Sequence, residues 1–251
     1  MSGDARLAAE LAEGAGRVLL GLRSGTQVSG KDGDRLANEY LLTALAAARP
    51  GDAVLSEESR DDPARLLADR VWIIDPLDGT REFAERDGAG WRTDFAVHVA
   101  LWQAGRGLVA GAVALPARGM VYCTEPATPS PEPGSGDRLR VAVSRSRAPE
   151  LVTLLGQQLP VELVPMGSAG VKAMAVVTGE VDAYLHGGGQ YEWDSAAPVA
   201  VAVAAGLHAS RLDGSRLTYN NANPWLPDLL VCRAELAPRL LAAVAAIEGG
   251  R

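Results

Sequence analysis

Two aspartates, Asp75 and Asp78, stand three residues apart in Ile73–Thr80, where a short apolar run ends. A proline fixes the turn between them, so one turn can direct both carboxylates at one point. Gly79 has no side chain to obstruct a ligand, and Thr80 can begin a helix whose free N–H groups face an anion. A capping aspartate at a strand-turn-helix junction would explain one carboxylate but not two. We therefore predict a functional site in this segment.

Two further acidic segments stand beside apolar runs. Glu57 follows the predicted strand Ala53–Leu55 after one serine, and Asp194 lies at the start of an apolar helix. Taken alone, each is typical of a solvated loop or a helix N-cap. Together with the aspartates they predict a shared acidic pocket, in which unneutralised carboxylates would repel one another and take up protons. Mg²⁺ prefers carboxylate and water oxygens and commonly meets phosphate, so we predict a magnesium site for a small phosphorylated substrate.

Other kinds of metal and phosphate site are disfavoured. Three histidines and two cysteines without ligand spacing argue against zinc or iron. The haloacid-dehalogenase motif DxDGT has one residue between its aspartates, whereas two separate them here, so a covalent aspartyl mechanism is not supported. Gly25–Lys31 spells GxxxxGK, but Asp32 replaces the required Ser or Thr and no buried strand precedes it.

Composition limits the function classes further. The chain has 251 residues, 47% of them apolar, with a net charge of -7 and a pI near 5.1. An acidic globular chain of this kind is not expected to bind nucleic acids, whose partners are basic. It has neither an apolar run of the roughly 18 residues that a membrane span needs nor a recognisable signal peptide. We therefore expect a cytoplasmic protein.

The apolar spacing predicts two different halves. Two helices, Ala5–Leu22 and Arg35–Ala48, flank a glycine-rich loop at Ser24–Gly33, and an apparently antiparallel series of strands follows. Four prolines make Pro126–Asp137 the best boundary. Beyond it strands alternate with helices, including a helix at Pro149–Gln158. These patterns predict an α+β N-terminal domain over residues 1–130, with most of the metal ligands, and a C-terminal α/β domain over residues 138–251 that closes the cleft.

Three of these segments resemble the signatures of the inositol monophosphatase superfamily, in the same order: SEE, WIIDPLDGTREF and EWDSAAPVAVAVAAG. The similarity extends over most of the chain and is weakest in the proline-rich insert. Details are similar to the CysQ branch, notably the segment Val143–Ser146 and Gly167-Ser168 with Lys172 nearby. The resemblance implies a layered α/β/α/β/α sandwich, lithium sensitivity, and removal of the 3'-phosphate of 3'-phosphoadenosine 5'-phosphate (PAP), a by-product of sulfate activation.

The resemblance also assigns roles to residues. Glu57, Asp75 and the Leu77 carbonyl would hold one Mg²⁺, and Asp75, Asp78 and Asp194 a second. Glu57 and Thr80 would orient the attacking water, and an acidic residue before the second helix would polarise the threonine. Helix register points to Asp34 for that residue, with Asp32 as a rival. The substrate would contact a group of residues that comprises Leu77, Asp78, Gly79, Thr80, Asp194, Arg145, Ser168 and Lys172.

Several alternatives stay open at this stage. The same site could act on inositol monophosphate or fructose 1,6-bisphosphate, and a homodimer is compatible with the sequence. A non-catalytic binding protein would be marked by a lost ligand, and no ligand is missing. Arg81 and Arg145 are candidates for a second phosphate, although solvated arginines are common in this chain. His186 is as consistent with a satisfied loop histidine as with a substrate contact, and His98 is predicted to be a core or sheet-face residue.

Overall fold

A computed structural model describes residues 2–25, 28–88, 90–132, 137–145 and 150–249. Helices in this part of the chain are α1 (Gly3–Arg23), α2 (Gly30–Ala48), α3 (Thr80–Ala84), α4 (Glu150–Gln158), α5 (Ala169–Val177), α6 (Glu192–Ala204) and α7 (Ala237–Gly249). Strands are β1 (Ala53–Ser56), β2 (Arg70–Asp78), β3 (Arg86–Asp87), β4 (Gly90–Trp91), β5 (Ala96–Gln103), β6 (Gly107–Leu115), β7 (Met120–Cys123), β8 (Leu139–Ser144), β9 (Val161–Met166), β10 (Ala183–Tyr191), β11 (His208–Ser210) and β12 (Trp225–Cys232).

The longer strands form two five-stranded sheets. The first has the order β1-β2-β5-β6-β7, in which β1 pairs with β2 in parallel and the other neighbours are antiparallel. The predicted antiparallel series is therefore right from β2 onward and wrong for β1. The second sheet, β11-β12-β10-β8-β9, mixes parallel and antiparallel pairs. Strands β3 and β4 form a separate pair.

Three apolar clusters stack these sheets into five layers. Because side chains alternate across a strand, Trp72 and Ile74 of β2 pack against α1 and α2, whereas Val71 and Ile73 face the other way. The apolar cluster around Val71 and Ile73 also contains residues of α5 and α6 and reaches the inner face of the second sheet. The outer face of the second sheet is covered by α4 and α7. The predicted layered α/β/α/β/α sandwich is confirmed.

The start of α2 differs from the sequence prediction. Residues up to Gly33 were expected in a loop, but the helix begins at Gly30; Thr26 and Gln27 lie outside the described residues. A Cβ on Gly30 would lie 2.5 Å from Thr80, and one on Gly33 would lie 2.8 Å from Leu77. The glycines therefore permit the helix to approach the Asp75–Thr80 turn closely. A glycine-rich segment is typical of a loop, but these glycines lie in α2 and allow it to pack closely against the turn.

Other boundaries agree within a few residues. Part of the proline-rich insert (133–136) and the beginning of the predicted helix at Pro149 lie outside the described residues. The division into two domains stays a prediction, since the middle cluster draws side chains from both sheets. Within the part of the chain described, no helix combines the length and the apolar character needed to cross a bilayer. Cys123 and Cys232 are both free thiols.

Candidate active site

Three carboxylates from two elements converge at the end of β2. Asp75 and Asp78 lie on β2, and Asp194 lies in the first turn of α6. One oxygen of each lies within 4.8 Å of the others. Asp75 is 1% exposed and Asp78 8% exposed, so the cluster is largely removed from water. The structure thus brings together the residues predicted to hold the second magnesium ion.

Asp75 has the most unfavourable surroundings for a negative charge. Its Oδ1 accepts a hydrogen bond of 3.0 Å from the Leu77 N–H, while its buried Oδ2 has no hydrogen-bond donor among the described residues. Burial, followed by repulsion from Glu57, Asp78 and Asp194, raises the pKa of Asp75 well above its ordinary value. A buried carboxylate oxygen without a donor, surrounded by like charges, is the arrangement that a bound cation would neutralise.

Glu57 belongs to the same electrostatic group. It follows β1 at the edge of the site, and its charge repels that of Asp75. Burial of its carboxyl group and repulsion from Asp194 and Asp78 raise the pKa of Glu57 to about 7. Burial and repulsion from Asp78 likewise raise the pKa of Asp194 to about 6. These acids would ionise fully near neutral pH only with a cation among them.

Asp78 contrasts with its neighbours, because the protein itself supplies donors to both of its oxygens. The first turn of α5 donates from the Ala169 N–H to Oδ1 at 3.1 Å and from the Gly170 N–H to Oδ2 at 2.6 Å, and the Ser168 hydroxyl also donates to Oδ2. The Nε2 of His98 lies 3.2 Å from the same oxygen. Burial opposes ionisation, but these contacts outweigh it and lower the pKa of Asp78.

Thr80 begins α3 beside the acid predicted to polarise it. Its Oγ1 lies 3.1 Å from Asp34 Oδ1 and 3.2 Å from the Leu77 carbonyl oxygen, two acceptors for one hydroxyl hydrogen. Burial and the nearby Glu58 raise the pKa of Asp34 to about 6. The rival Asp32 is exposed, and its Oδ1 lies 3.7 Å from the Arg35 guanidinium in an ion pair. Geometry therefore favours Asp34 over Asp32.

Gly79 occupies a position that requires glycine. Its φ of 92° lies in the left-handed region, and a Cβ there would lie 3.2 Å from the Asp94 carbonyl oxygen. Its own carbonyl accepts from the Phe83 N–H at 2.8 Å, which closes the first turn of α3. The tight turn between Asp78 and Thr80 thus depends on this residue.

Three residues, Arg145, Ser168 and Lys172, were predicted to contact the nucleotide part of the substrate, and we call them the nucleotide side. Arg145 and Ser168 already contact carboxylates of the protein, whereas Lys172 has no ion pair among the described residues. Arg145 pairs with Asp94, and its guanidinium also lies 3.9 Å from Glu82. Ser168 contacts Asp78, as described above. Lys172 is buried, with its Nζ 5.3 Å from the Tyr184 ring centroid, and burial lowers its pKa although the site carboxylates oppose this.

Two weaker candidates have ordinary surroundings. His186 lies on strand β10 and not in a loop, and its Nε2 is 2.8 Å from the Gly189 carbonyl oxygen, so the ring has a partner within the protein. Arg81 is exposed on α3. Ser146, part of the segment similar to the CysQ branch, lies outside the described residues.

Sequence reasoning missed three polar residues that organise the site. His98 was expected in the core and is fully buried, but it contacts Asp78. Asp94 accepts from the Gly167 N–H at 2.7 Å as well as from Arg145. Glu192 is buried and accepts from the N–H groups of Asn220 and Asn221 at 2.6 and 2.8 Å, which anchors the start of α6. The spacing of residues in the sequence does not predict contacts between positions so far apart.

Comparison with known proteins agrees with this geometry. The model of the inositol monophosphatase family matches residues 6–248. The chain belongs to the inositol monophosphatase family. Within this family it is 56% identical over 256 residues to a 3'-phosphoadenosine 5'-phosphate phosphatase of Mycobacterium leprae, an alignment that covers 96% of this chain and 93% of the relative.

More distant members of the inositol monophosphatase family match as well. A 3'(2'),5'-bisphosphate nucleotidase CysQ of Salmonella typhimurium is 32% identical over 204 residues, covering 77% of this chain and 80% of the relative. The crystal structure of CysQ from Bacteroides thetaiotaomicron superposes with a TM-score of 0.76 at 27% identity, over 92% of this chain and 97% of that one. The resemblance inferred from the three motifs is confirmed.

The acidic triad of this family member can hold a metal ion. The donor set is entirely hard oxygen, the three carboxylates lie within reach of one ion, and the buried Asp75 Oδ2 has no donor in the described chain. All three features fit a hard cation better than a soft metal.

Proposed function

We propose that this protein is a Mg²⁺-dependent phosphatase that hydrolyses the 3'-phosphate of PAP to give AMP and phosphate. The observation that carries the proposal is the convergence of Asp75, Asp78 and Asp194 in a chain 56% identical to a protein named PAP phosphatase. These relatives bear out the prediction of a PAP phosphatase made from the sequence. Linkage to sulfate assimilation follows from the substrate.

The proposed cation ligands fall into two sets. Glu57, Asp75 and the Leu77 carbonyl would hold one Mg²⁺, and Asp75, Asp78 and Asp194 would hold another. When bound, the cations would offset the charge of the phosphate and of the departing oxygen. The choice of Mg²⁺ is supported by the hard-oxygen donor set.

The remaining residues would act on the water and the phosphate. With its hydrogen drawn towards Asp34 Oδ1 at 3.1 Å, the Thr80 hydroxyl presents a lone pair that can orient an attacking water. Glu57, at the open edge of the cluster, would accept a hydrogen bond from the same water. The N–H groups of Gly79 and Thr80, at the start of α3, would bind phosphate oxygens. In-line attack by water would then need no covalent intermediate.

Phosphate release from three substrates tests this proposal: PAP, inositol 1-phosphate and fructose 1,6-bisphosphate, each with Mg²⁺ and with EDTA. We expect kcat/KM to be highest for PAP and activity to disappear in EDTA. Preference for inositol 1-phosphate or fructose 1,6-bisphosphate would replace the substrate but keep the chemistry. Turnover that persists in EDTA would refute the metal-dependent mechanism, and no turnover of any substrate would favour a non-catalytic binding protein.

A further inference from the structure

His98 lies at the junction of the elements that supply the carboxylates. It is on β5 directly opposite Asp75 of β2, and none of its surface is exposed. Its neighbours are the end of β2, the first turn of α5 and the first turn of α6. A histidine packed only for volume would not need polar neighbours on two of these elements. Nδ1 of His98 is within hydrogen-bond distance of a backbone carbonyl, and Nε2, which makes no well-aligned hydrogen bond among the described residues, lies at ion-pair distance from a carboxylate.

The two ring nitrogens contact different elements. Nδ1 lies 3.0 Å from the Trp193 carbonyl oxygen, which can only accept, so Nδ1 carries a hydrogen and donates it. Nε2 lies 3.2 Å from Asp78 Oδ2, an attractive ion-pair contact for the doubly protonated ring, in which both nitrogens carry a hydrogen. Because Trp193 immediately precedes Asp194, one rigid ring joins the position of Asp78 to the backbone beside Asp194. These two carboxylates of the proposed second cation site come from different elements, Asp78 from β2 and Asp194 from α6.

Gly170 provides the space that this ring occupies. A Cβ on Gly170 would lie 2.1 Å from the Nε2 of His98, too close for any side chain. The Gly170 N–H also donates to Asp78 Oδ2 at 2.6 Å, so ring and helix contact the same carboxylate oxygen. The His98 ring on β5 therefore fits only because position 170 on α5 has no side chain.

We propose that His98 is a positioning residue, which fixes the separation of Asp78 and Asp194 through its contacts with Asp78 Oδ2 and the Trp193 carbonyl. The proposal rests on the proposed function, because the separation matters only if these carboxylates share a cation. Partners that orient metal ligands in this way typically contribute about 10–100-fold to metal affinity or activity. A core histidine without this role would contribute to folding stability alone.

Two substitutions separate the two contacts. His98→Asn places an amide nitrogen where Nδ1 lies and can keep the bond to Trp193, but it cannot reach Asp78. His98→Gln extends to the position of Nε2 and can keep the contact with Asp78. Direct Mn²⁺ binding, followed by the electron paramagnetic resonance of free Mn²⁺, reports on the site without relying on activity.

We expect His98→Asn to weaken Mn²⁺ binding at the site formed by Asp75, Asp78 and Asp194 roughly tenfold and to raise the Mg²⁺ concentration for half activation by a similar factor. At saturating Mg²⁺ the KM for PAP should stay within about twofold, and His98→Gln should retain more Mn²⁺ affinity than His98→Asn. The matched control is His208→Gln, because His208 lies on β11 and contacts Ser210. Wild-type Mn²⁺ affinity in both His98 variants would overturn the proposal.

A second variant leaves His98 in place. Gly170→Ala would push the ring away from Asp78, so it should weaken Mn²⁺ binding in the wild-type background and do so much less beside His98→Ala. Additive losses in this double-mutant cycle would contradict the proposed positioning role. If the wild-type protein binds Mn²⁺ but does not hydrolyse PAP, the proposed function fails and the cycle still tests the positioning of the carboxylates. If it hydrolyses PAP and both His98 variants bind normally, only the positioning role fails.

Discussion

The candidate site has a carboxylate side, formed by Glu57, Asp75, Asp78 and Asp194, and a nucleotide side, formed by Arg145, Ser168 and Lys172. The two sides differ in how the charges of their side chains are compensated. On the carboxylate side, Asp75 Oδ2 has no donor in the described chain, and the pKa values of Asp75, Glu57 and Asp194 are all raised. On the nucleotide side, Arg145 is already paired with Asp94. The described part of the protein therefore provides no sufficient counter-charge for these three carboxyl groups, whereas Asp94 already neutralises the charge of Arg145.

This difference indicates where ligand binding would be strongest. A cation among the carboxylates would relieve repulsion present in the folded chain, so its binding would be supported by the protein's own unfavourable electrostatics. A second phosphate at Arg145 would instead compete with Asp94. Lys172 contacts the Tyr184 ring and has no such competitor among the ion pairs of the described residues.

The largest effect is expected from Asp75→Asn. The substitution removes the charge of the proposed bridging ligand at nearly constant volume, so kcat for PAP should fall by at least about 10²-fold. Because buried repulsion is also removed, the melting temperature in EDTA should rise. Phosphate release and thermal melts measure the two effects. Asp213→Asn, in an exposed turn where Oδ1 accepts from Ser215, is the control. A lower melting temperature in EDTA would indicate a structural acid instead.

A smaller loss is expected at the acid beside Thr80. Asp34→Asn should lower kcat about 10–100-fold, because an amide polarises the Thr80 hydroxyl less than a carboxylate does. Asp32→Asn serves as the control, since Asp32 makes an exposed ion pair, and it should leave kcat within about twofold. Kinetics for both variants at saturating Mg²⁺ would decide between the two acids. Equal losses would remove the distinction that the geometry makes.

The carboxylate side could be predicted from the sequence because its residues are local. Asp75, Asp78, Gly79 and Thr80 lie within six consecutive positions at the end of one strand, and chain geometry alone places them together. Apolar periodicity predicted the two halves, and the layered sandwich followed from the resemblance. Asp194 was harder, because only a packed C-terminal half brings α6 to the end of β2.

The contacts that the sequence could not supply are long-range and depend on register. His98 faces Asp78 because β5 pairs with β2 in one particular register and because Gly170 leaves space for the ring. A shift of one residue would turn His98 to the other face of the sheet. Arg145 was expected to be available for a phosphate, but Asp94, more than fifty positions away, pairs with it. Spacing in the sequence carries no information about such pairs.

The asymmetry within the nucleotide side predicts unequal effects on KM. Lys172→Met removes the charge but keeps the apolar stem, and it should raise the KM for PAP about tenfold, equivalent to roughly 1.4 kcal/mol. Arg145→Gln should raise it only about twofold, because its charge is already offset by Asp94. The kcat for inositol 1-phosphate should change little in either variant. A larger effect at Arg145 would mean that PAP displaces Asp94.

The smallest predicted effect is a pH dependence of folding stability in the metal-free protein, which should come from the carboxylate side and not from the nucleotide side. Burial and mutual repulsion raise the pKa values of Glu57 and Asp194 to about 7 and 6 from ordinary values of 4.5 and 3.8. Between about pH 4 and 7 the folded chain therefore binds more protons than the unfolded chain, so the free energy of unfolding should fall as the pH rises.

Thermal melts in EDTA should accordingly give a lower melting temperature at pH 7.5 than at pH 5, by about 2–4 °C for each kcal/mol lost. Saturating Mg²⁺ should remove most of the difference, since the cation stabilises the ionised carboxylates. Asp94 cannot cause this trend, because the pKa of Asp94 is lowered although burial opposes the shift, and its contribution is lost only at more acidic pH. Asp75→Asn should flatten the dependence in EDTA. A melting temperature that instead rises from pH 5 to 7.5 in EDTA would mean that the carboxylates are already compensated, and the contrast between the two sides would not hold.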